Sequence, residues 1–173
     1  MKSIIFTILL AFGSSFLYAE SATEPTDHFT LTNTEGQDIH VSATENGLAF
    51  KEFQGKAVFL VLFGHMCPPC NAEIPEFIEL KSNYKDKLAI VALEAQRYDM
   101  QKLKAFKEKK GINYNLIPGK DNDEFIGYIA QRAGWNGAIP FIIALDKKGE
   151  VQAIEQGYIS QEKLESWVKQ LTK

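Results

Sequence analysis

The chain has 173 residues with 19 basic and 22 acidic side chains, which gives a formal net charge of −3 at pH 7. No stretch gathers positive charge in the pattern of a nucleic-acid-binding surface, so nucleic acid is excluded as an expected partner. The length suits one domain with a buried core rather than several domains.

The first 19 residues differ in composition from the rest of the chain. Lys2 precedes a mostly apolar run at residues 4–17, and Ala19 closes a small-residue cleavage site before a polar stretch. This order is typical of a secretory signal peptide that is cleaved after Ala19. An uncleaved N-terminal membrane anchor is the alternative, although the run is short against the roughly 20 residues that span a bilayer. In either case the folded part is expected outside the cytoplasm.

The remaining chain predicts one domain over residues 28–173, after a flexible lead-in at residues 20–27. The run at residues 57–63 has no polar face, as expected for a central strand that is covered on both sides. Apolar periodicity, turns and caps predict these elements in order: a β-hairpin from residues 29–32 and 39–41, a strand at 57–63, a helix at 68–84, a strand at 88–93, a helix at 99–110, a short strand at 114–117, a helix at 122–133, a hairpin from 141–145 and 151–156, and a last helix capped by Ser160. This order predicts a mixed sheet with helices on both faces.

Cys67 and Cys70 are the only two cysteines, and they stand three positions apart between a predicted strand and a predicted helix. A cysteine at a helix N-terminus faces unpaired backbone N–H groups and the positive end of the helix dipole, and both favour the thiolate. Pro68 and Pro69 suit the first turn of a helix, where a backbone N–H is not needed. The arrangement predicts a redox-active pair.

A structural staple and a metal site are the two other uses of such a pair. A disulfide that closes a four-residue loop removes little entropy from the unfolded chain, about 2 kcal/mol against roughly 3 kcal/mol for a 15-residue loop. Cys67, Cys70 and His65 offer a soft-metal ligand set of the kind found in copper chaperones, but they lack the fourth ligand of a tetrahedral zinc site. Both uses stay open as alternatives to thiol exchange.

Two titratable side chains flank the cysteines. Glu73 lies three residues after Cys70, one helical turn further on nearly the same face. Burial there would raise its pKa, because desolvation disfavours the charged carboxylate, and Glu73 could then exchange a proton with Cys70 near neutral pH. A solvent-facing Glu73 without a role is the alternative. A protonated His65 would stabilise a Cys67 thiolate and make the disulfide easier to reduce, unless it is a loop residue without a role.

With these residues in view, the chain resembles the thioredoxin superfamily, in particular the exported TlpA/ResA-like branch that includes cytochrome c maturation thioredoxins. The resemblance covers residues 29–171. It rests on Cys67-Pro68-Pro69-Cys70 followed by Glu73, on Gly137-Ala138-Ile139-Pro140 before a strand, and on the early hairpin. The branch usually has a small or polar residue where His65 stands.

The resemblance implies a thioredoxin fold, which is an α/β fold with a central mixed β-sheet flanked by helices on both faces and an extra N-terminal β-hairpin. It implies that Cys67 is the exposed attacking nucleophile and Cys70 the more buried resolving thiol. Glu73 falls where the branch has a carboxylate near the site, and it would act as proton acceptor and donor.

The resemblance also implies how a partner protein is contacted. Pro140 falls on the family's cis-proline beside the disulfide, and Ile139 and Pro140 would present backbone to the partner's extended chain. Met66, at a position where the branch usually has tryptophan, is a further expected partner contact. Val61 stands where cytoplasmic thioredoxins have a buried aspartate, which leaves Glu73 as the only acid nominated near the pair.

The resulting prediction is a periplasmic thiol–disulfide oxidoreductase that reduces disulfides of partner proteins, with apocytochrome c as one client that the resemblance implies. A membrane electron donor of the thiol-reducing type would re-reduce the pair, no cofactor is expected, and the chain is expected to be a monomer. Pro68, Pro69 and His65 would tune the reduction potential of the pair.

Two alternatives stay open. The same residues can catalyse the reverse reaction in a disulfide-forming oxidase or isomerase, since about 30 mV shifts the equilibrium by only 1.4 kcal/mol. A copper-binding chaperone that uses Cys67, Cys70 and His65 is the alternative from another class.

Overall fold

The computed structural model describes residues 27–173. The predicted signal peptide and nearly all of the predicted lead-in lie outside the described residues. Among the residues that are described, no helix is long and apolar enough to cross a membrane. The elements are β1 (His28–Thr32), β2 (Asp38–Thr44), β3 (Gly47–Phe50), a 3-10 helix (Lys51–Phe53), β4 (Ala57–Phe63), α1 (Pro68–Asn83), β5 (Leu88–Glu94), α2 (Met100–Lys110), β6 (Asn115–Ile117), α3 (Asp123–Ala133), β7 (Phe141–Leu145), β8 (Val151–Gln156) and α4 (Gln161–Leu171).

The centre of the domain is a five-stranded mixed sheet with the strand order β6-β5-β4-β7-β8. β4 pairs in parallel with β5 and β5 with β6, whereas β7 runs antiparallel to both β4 and β8. β4 and β5 are buried along their whole length. Their continuous apolar runs reflect packing on both faces of the sheet. The predicted α/β fold with a central mixed sheet is confirmed.

Successive side chains of β4 point to opposite faces of the sheet, because a strand has a period of two. One face packs against α1, α2 and α4, and the β4 side chains in that cluster are Ala57, Phe59, Val61 and Phe63. The other face packs against α3 and the N-terminal strands, and its β4 side chains are Val58, Leu60 and Leu62. The central sheet is therefore held between two apolar layers, with the start of α1 at one edge.

The predicted N-terminal hairpin is confirmed, and it is part of a three-stranded antiparallel sheet, β1-β2-β3. Residues 44–47 look like a polar loop in the sequence, but only Glu45 and Asn46 separate the paired Thr44 and Gly47. β3 is not predicted from the sequence, because four residues with two buried side chains are too few to show the alternation of polar and apolar residues that identifies a strand. The third strand extends the cover over the sheet face opposite α1.

The boundaries of α1, α2 and α3 differ from the predicted ones by one residue, and in each case that residue is a helix cap. Tyr84 is the C-cap of α1, and Asp99 and Asn122 are the N-caps of α2 and α3. The Asp99 side chain accepts the backbone N–H of Lys102. Ser160 caps α4 as predicted. Cap residues take part in helix-end hydrogen bonds without helical backbone angles, so sequence patterns place them inside or outside a helix equally well.

Candidate active site

The cysteine pair lies at the edge of the sheet where two neighbouring parallel strands end. The last residues of β4 and β5, Phe63 and Glu94, are register partners. Residues 64–67, here called the Cys67 loop, lead from β4 into α1. Gly64 is enclosed in this loop, since a Cβ atom there would approach the side chains of Gln96 and Ile139 to within 2.6 Å. A residue with a side chain at position 64 would require the ends of the Gln96 and Ile139 side chains to move.

Cys67 and Cys70 form a disulfide at the first turn of α1. Cys67 is the N-cap residue, and its Sγ accepts the backbone N–H of Cys70 at 3.3 Å. The same sulfur lies 3.8 Å from the carbonyl oxygen of Ile139. Pro68 and Pro69 occupy the first turn, as predicted, and both are exposed. The N-terminus of α1, which favours a thiolate, therefore lies next to the sulfur of Cys67.

The expectation of an exposed Cys67 is wrong for this oxidised form. Cys67 is 6% exposed and Cys70 is 2% exposed, so both are buried. The reason is that the Cys67 sulfur is bonded to Cys70 on one side and lies against the carbonyl of Ile139 on the other. Cys67 is still the more exposed of the two cysteines, as predicted.

The segment predicted to contact a partner does lie beside the disulfide. The Ile139–Pro140 peptide bond is cis, as the resemblance implies. Pro140 is buried, and its carbonyl accepts the backbone N–H of Gly157 at 2.8 Å, which ties this loop to the chain after β8. Met66 stands 72% exposed in the Cys67 loop. Met66 therefore stands next to Cys67 in the chain, and the carbonyl of Ile139 lies against the Cys67 sulfur.

Glu73 is buried one helical turn after Cys70, as expected. Burial raises the pKa of Glu73 to about 7, although the hydrogen bond from the Ile159 N–H to its Oε1 at 2.8 Å acts in the opposite direction. The charge of Glu76 adds to the rise in pKa. Near neutral pH, the Glu73 carboxyl can therefore both accept and donate a proton.

Glu94 is a second buried acid at the site, so the expectation that Glu73 is the only one is wrong. Its Oε1 lies 2.7 Å from His65 Nδ1, and its Oε2 accepts the Tyr98 N–H at 2.7 Å. The side chains of His65 and Glu94 are 9% and 0% exposed. The predicted strand ends one residue too early, at Leu93, whereas β5 includes Glu94. The signal was available, because parallel strands end at the same edge and Glu94 directly follows that apolar run.

The metal alternative gains no support from this geometry. Within residues 27–173, no group of three or more His, Cys, Asp or Glu side chains is arranged to hold a metal ion. His65 directs Nδ1 to Glu94, and the two sulfurs are bonded to each other. A copper chaperone that uses Cys67, Cys70 and His65 therefore has only its sequence pattern in its favour.

Similarity to known proteins covers most of the chain. The sequence pattern of the AhpC/TSA family matches residues 23–154. The chain belongs to this family. The thiol-disulfide oxidoreductase ResA of Bacillus anthracis is 31% identical over 146 residues, which cover 84% of this chain and 75% of that protein. ResA of Geobacillus kaustophilus is 26% identical over 174 residues, which cover 95% of this chain and 91% of that protein.

The fold of this chain is found in solved structures of other proteins. StoA from Bacillus subtilis superposes with a TM-score of 0.60 at 21% identity, and the match covers 82% of this chain and 96% of StoA. A putative thiol:disulfide interchange protein DsbE from Chlorobium tepidum gives a TM-score of 0.64 at 17% identity, with 87% and 96% covered. The thioredoxin fold, the ResA-like resemblance and the predicted enzyme class, thiol–disulfide oxidoreductase, are confirmed.

Proposed function

We propose that this AhpC/TSA family protein is an extracytoplasmic oxidoreductase that reduces disulfides of partner proteins through Cys67 and Cys70. One observation carries the proposal: the disulfide lies at the N-terminus of α1, with buried Glu73 one turn further along the helix. The helix end favours a thiolate at Cys67, and a carboxyl with a pKa of about 7 can serve the resolving thiol.

The reaction starts from the reduced dithiol. The Cys67 thiolate attacks one sulfur of the partner's disulfide, that S–S bond breaks, and the partner's first sulfur leaves as a thiolate that takes a proton from water. The Cys70 thiol then passes its proton to the Glu73 carboxylate. Its thiolate attacks the Cys67 sulfur, which re-forms the Cys67–Cys70 bond and releases the partner's second thiolate. Glu73 or water protonates this leaving group, and the partner has gained two electrons and two protons.

The oxidised pair must regain two electrons for each turnover. We propose a dithiol donor of the thiol-reducing, membrane-bound class, which returns them by the same exchange in reverse order. The proposed location supports such a donor, because residues 1–19 have the sequence pattern of a signal peptide. The folded domain would then meet its donor at the outer face of the membrane.

The proposed client is a protein disulfide in an extended segment of chain. Exposed Met66 and the Ile139 carbonyl beside Cys67 offer an apolar contact and a hydrogen-bond acceptor for such a segment. Apocytochrome c is a fitting example, because its haem-attachment motif is a Cys-x-x-Cys-His sequence whose two cysteines must be reduced before haem is attached. Support for this client comes from the resemblance to cytochrome c maturation thioredoxins.

The test runs both directions of exchange on the full chain. Insulin with its disulfides intact, supplied with dithiothreitol, reports reduction, and a reduced unfolded model protein reports disulfide formation. Catalysis of insulin reduction that is lost in Cys67→Ala supports the proposal. If the chain oxidises the reduced, unfolded substrate protein faster than it reduces insulin, the proposed direction is overturned.

Export is tested in a separate experiment, because the enzyme assay does not report where the protein is located. The chain is expressed in a Gram-negative host and recovered from periplasmic and cytoplasmic fractions, and its N-terminus is sequenced. Recovery from the periplasm with Glu20 as the first residue supports cleavage after Ala19. Recovery from the cytoplasm with an intact N-terminus would contradict an extracytoplasmic function.

A further inference from the structure

The Glu94 carboxylate is a buried acceptor for backbone and side-chain donors around the Cys67 loop. Oε1 lies 2.7 Å from His65 Nδ1 and 3.4 Å from the His65 backbone nitrogen, and Oε2 accepts the Tyr98 N–H at 2.7 Å. Two of these contacts are backbone N–H groups that donate to the Glu94 oxygens, and the third joins Oε1 to the His65 ring. A carboxylate donates nothing, so in the arrangement proposed below Nδ1 of His65 carries the hydrogen of this contact.

The rest of the loop is fastened by neighbours of Glu94 and by α1. Gln96 accepts the Met66 N–H at 2.9 Å, and the Asn71 side chain donates to the His65 carbonyl at 3.0 Å. The His65 ring stacks on the Tyr98 ring, with 3.4 Å between centroids and 19° between planes. The residues that directly precede the N-cap cysteine are thus held from both sides.

The segment after β5 adopts an uncommon backbone to make these contacts. Arg97 has a φ of 66°, in the left-handed region that residues with a side chain seldom occupy. It stands between Gln96 and Tyr98, and both of these neighbours contact the Cys67 loop or its acid. A backbone of this kind persists only where surrounding contacts determine it. Gln96 and Tyr98 make such contacts on either side of Arg97, and the Arg97 side chain itself pairs with Asp123.

We propose that Glu94 is a positioning residue for the Cys67–Cys70 pair, because it fixes His65 and the backbone ahead of Cys67 and places a negative charge that makes the dithiol a stronger reductant. In the reduced pair, a Cys67 thiolate would lie two residues after His65, which Glu94 contacts, and a like charge disfavours such an anion. A less stable reduced form gives up its electrons more readily. The inference rests on the thiol–disulfide exchange proposed above, and it names the residue that biases this exchange toward reduction.

The chain contains a matched control pair on the N-terminal sheet. His40 Nδ1 lies 2.7 Å from Glu52 Oε1, and the His40 backbone N–H donates to Glu52 Oε2 at 2.8 Å. The contacts are the same in kind as those between His65 and Glu94. The difference is that this pair is half exposed and belongs to β2 and the 3-10 helix, away from the cysteines.

The experiment measures the equilibrium constant of the cysteine pair against glutathione in the full chain, for wild type, Glu94→Gln, Glu52→Gln and His65→Asn. Glu94→Gln removes the charge and keeps the size, and it is expected to shift the constant about tenfold toward the dithiol, which corresponds to a potential about 30 mV higher. Glu52→Gln is expected to match wild type. His65→Asn keeps an N–H donor for Glu94 and keeps the Glu94 carboxylate, so the potential of this variant is expected not to rise.

Three results would overturn the proposal: a Glu94→Gln constant within about twofold of wild type, a shift toward the disulfide, or an equal rise in His65→Asn. The last would show that a loosened loop, and not the carboxylate charge, moves the potential. A merely structural Glu94 would lower the melting temperature and leave the constant unchanged. Failure of the wild type to reduce insulin, with the Glu94→Gln shift still present, would count against the proposed function and not against this inference.

A measurement on wild type keeps the proposal testable if Glu94→Gln fails to fold. The chain has three histidines, so ¹⁵N spectra of the imidazole rings separate them, and His65→Asn assigns the signal of His65. The expected spectrum shows a hydrogen held on Nδ1 of His65 in a single tautomer. A ring that exchanges between its two tautomers would overturn the positioning role of Glu94.

Discussion

The carboxylate of Glu73 accepts a hydrogen bond from the backbone N–H of Ile159 at 2.8 Å, which ties the acid of α1 to the segment that leads into α4. The hydrogen bond favours the charged carboxylate, whereas burial disfavours it, and burial has the larger effect on the pKa. Glu73 therefore titrates near the pH at which thiols are exchanged, with its oxygen held in a fixed direction.

Replacement of Glu73 by glutamine should slow the release of the partner from the mixed disulfide. The glutamine amide cannot take the proton of Cys70, and loss of a positioned base typically costs roughly 10²-fold or more. Stopped-flow reduction of a disulfide peptide separates this step from the attack of Cys67, which should keep its rate. Glu79→Gln, an exposed change on the same helix, is the control. Equal slowing of both steps would refute a specific role in resolution.

Glu73 should also make the stability of the oxidised protein depend on pH. Its pKa in the folded protein, about 7, lies above the ordinary value of 4.5, so the folded state binds more protons between these values. The free energy of unfolding should therefore fall as the pH rises from about 4.5 to about 7. The pKa difference corresponds to a contribution of at most about 3 kcal/mol. Urea unfolding at pH 5 and pH 8 should show a smaller decline for Glu73→Gln than for wild type; an equal decline would contradict the raised pKa.

Removal of the resolving sulfur should trap the partner. In Cys70→Ser, the Cys67 thiolate can still attack a disulfide, but no thiol follows to release the product. A mixed disulfide with a cysteine-containing peptide should then accumulate and be visible by mass spectrometry without reductant. Cys67→Ser should trap nothing, because Cys70 is the more buried of the two. Trapping by Cys67→Ser alone would reverse the roles of the two cysteines.

Met66 should affect partner binding without affecting folding. Its side chain is 72% exposed, so Met66→Gln should change the free energy of unfolding by no more than about 0.5 kcal/mol. Loss of an apolar contact should lower kcat/KM for insulin by about tenfold, mainly through KM. Ile154→Gln, an exposed apolar change on β8, is the matched control and should leave kcat/KM unchanged. Equal effects of the two changes would place the partner elsewhere.

Local signals made much of this structure predictable. The apolar runs of β4 and β5 lack a polar face, which identifies buried central strands, and Ser160 announces the start of α4. Cys67, Cys70 and Glu73 follow one another at three-residue spacing along the first two turns of one helix, so the sequence alone could place these residues together.

The remaining features depend on contacts between distant segments. The position of Glu94 after an apolar run was a usable signal, but its contact with His65 depends on the register of β4 and β5, which no spacing along the chain encodes. The burial of Cys67 depends on a distant loop of the chain, at Ile139. β3 becomes recognisable as a strand only when β2 is in place to pair with it.

The most direct test of a reducing function is the reduction potential of the Cys67–Cys70 pair in the full chain, obtained by equilibration in glutathione or dithiothreitol buffers. A potential near or below about −220 mV, in the range of thioredoxin and the glutaredoxins, is the expected result. A potential between about −120 and −180 mV, in the range of DsbA and protein disulfide isomerase, would contradict the reducing direction and assign the protein to disulfide formation or isomerisation.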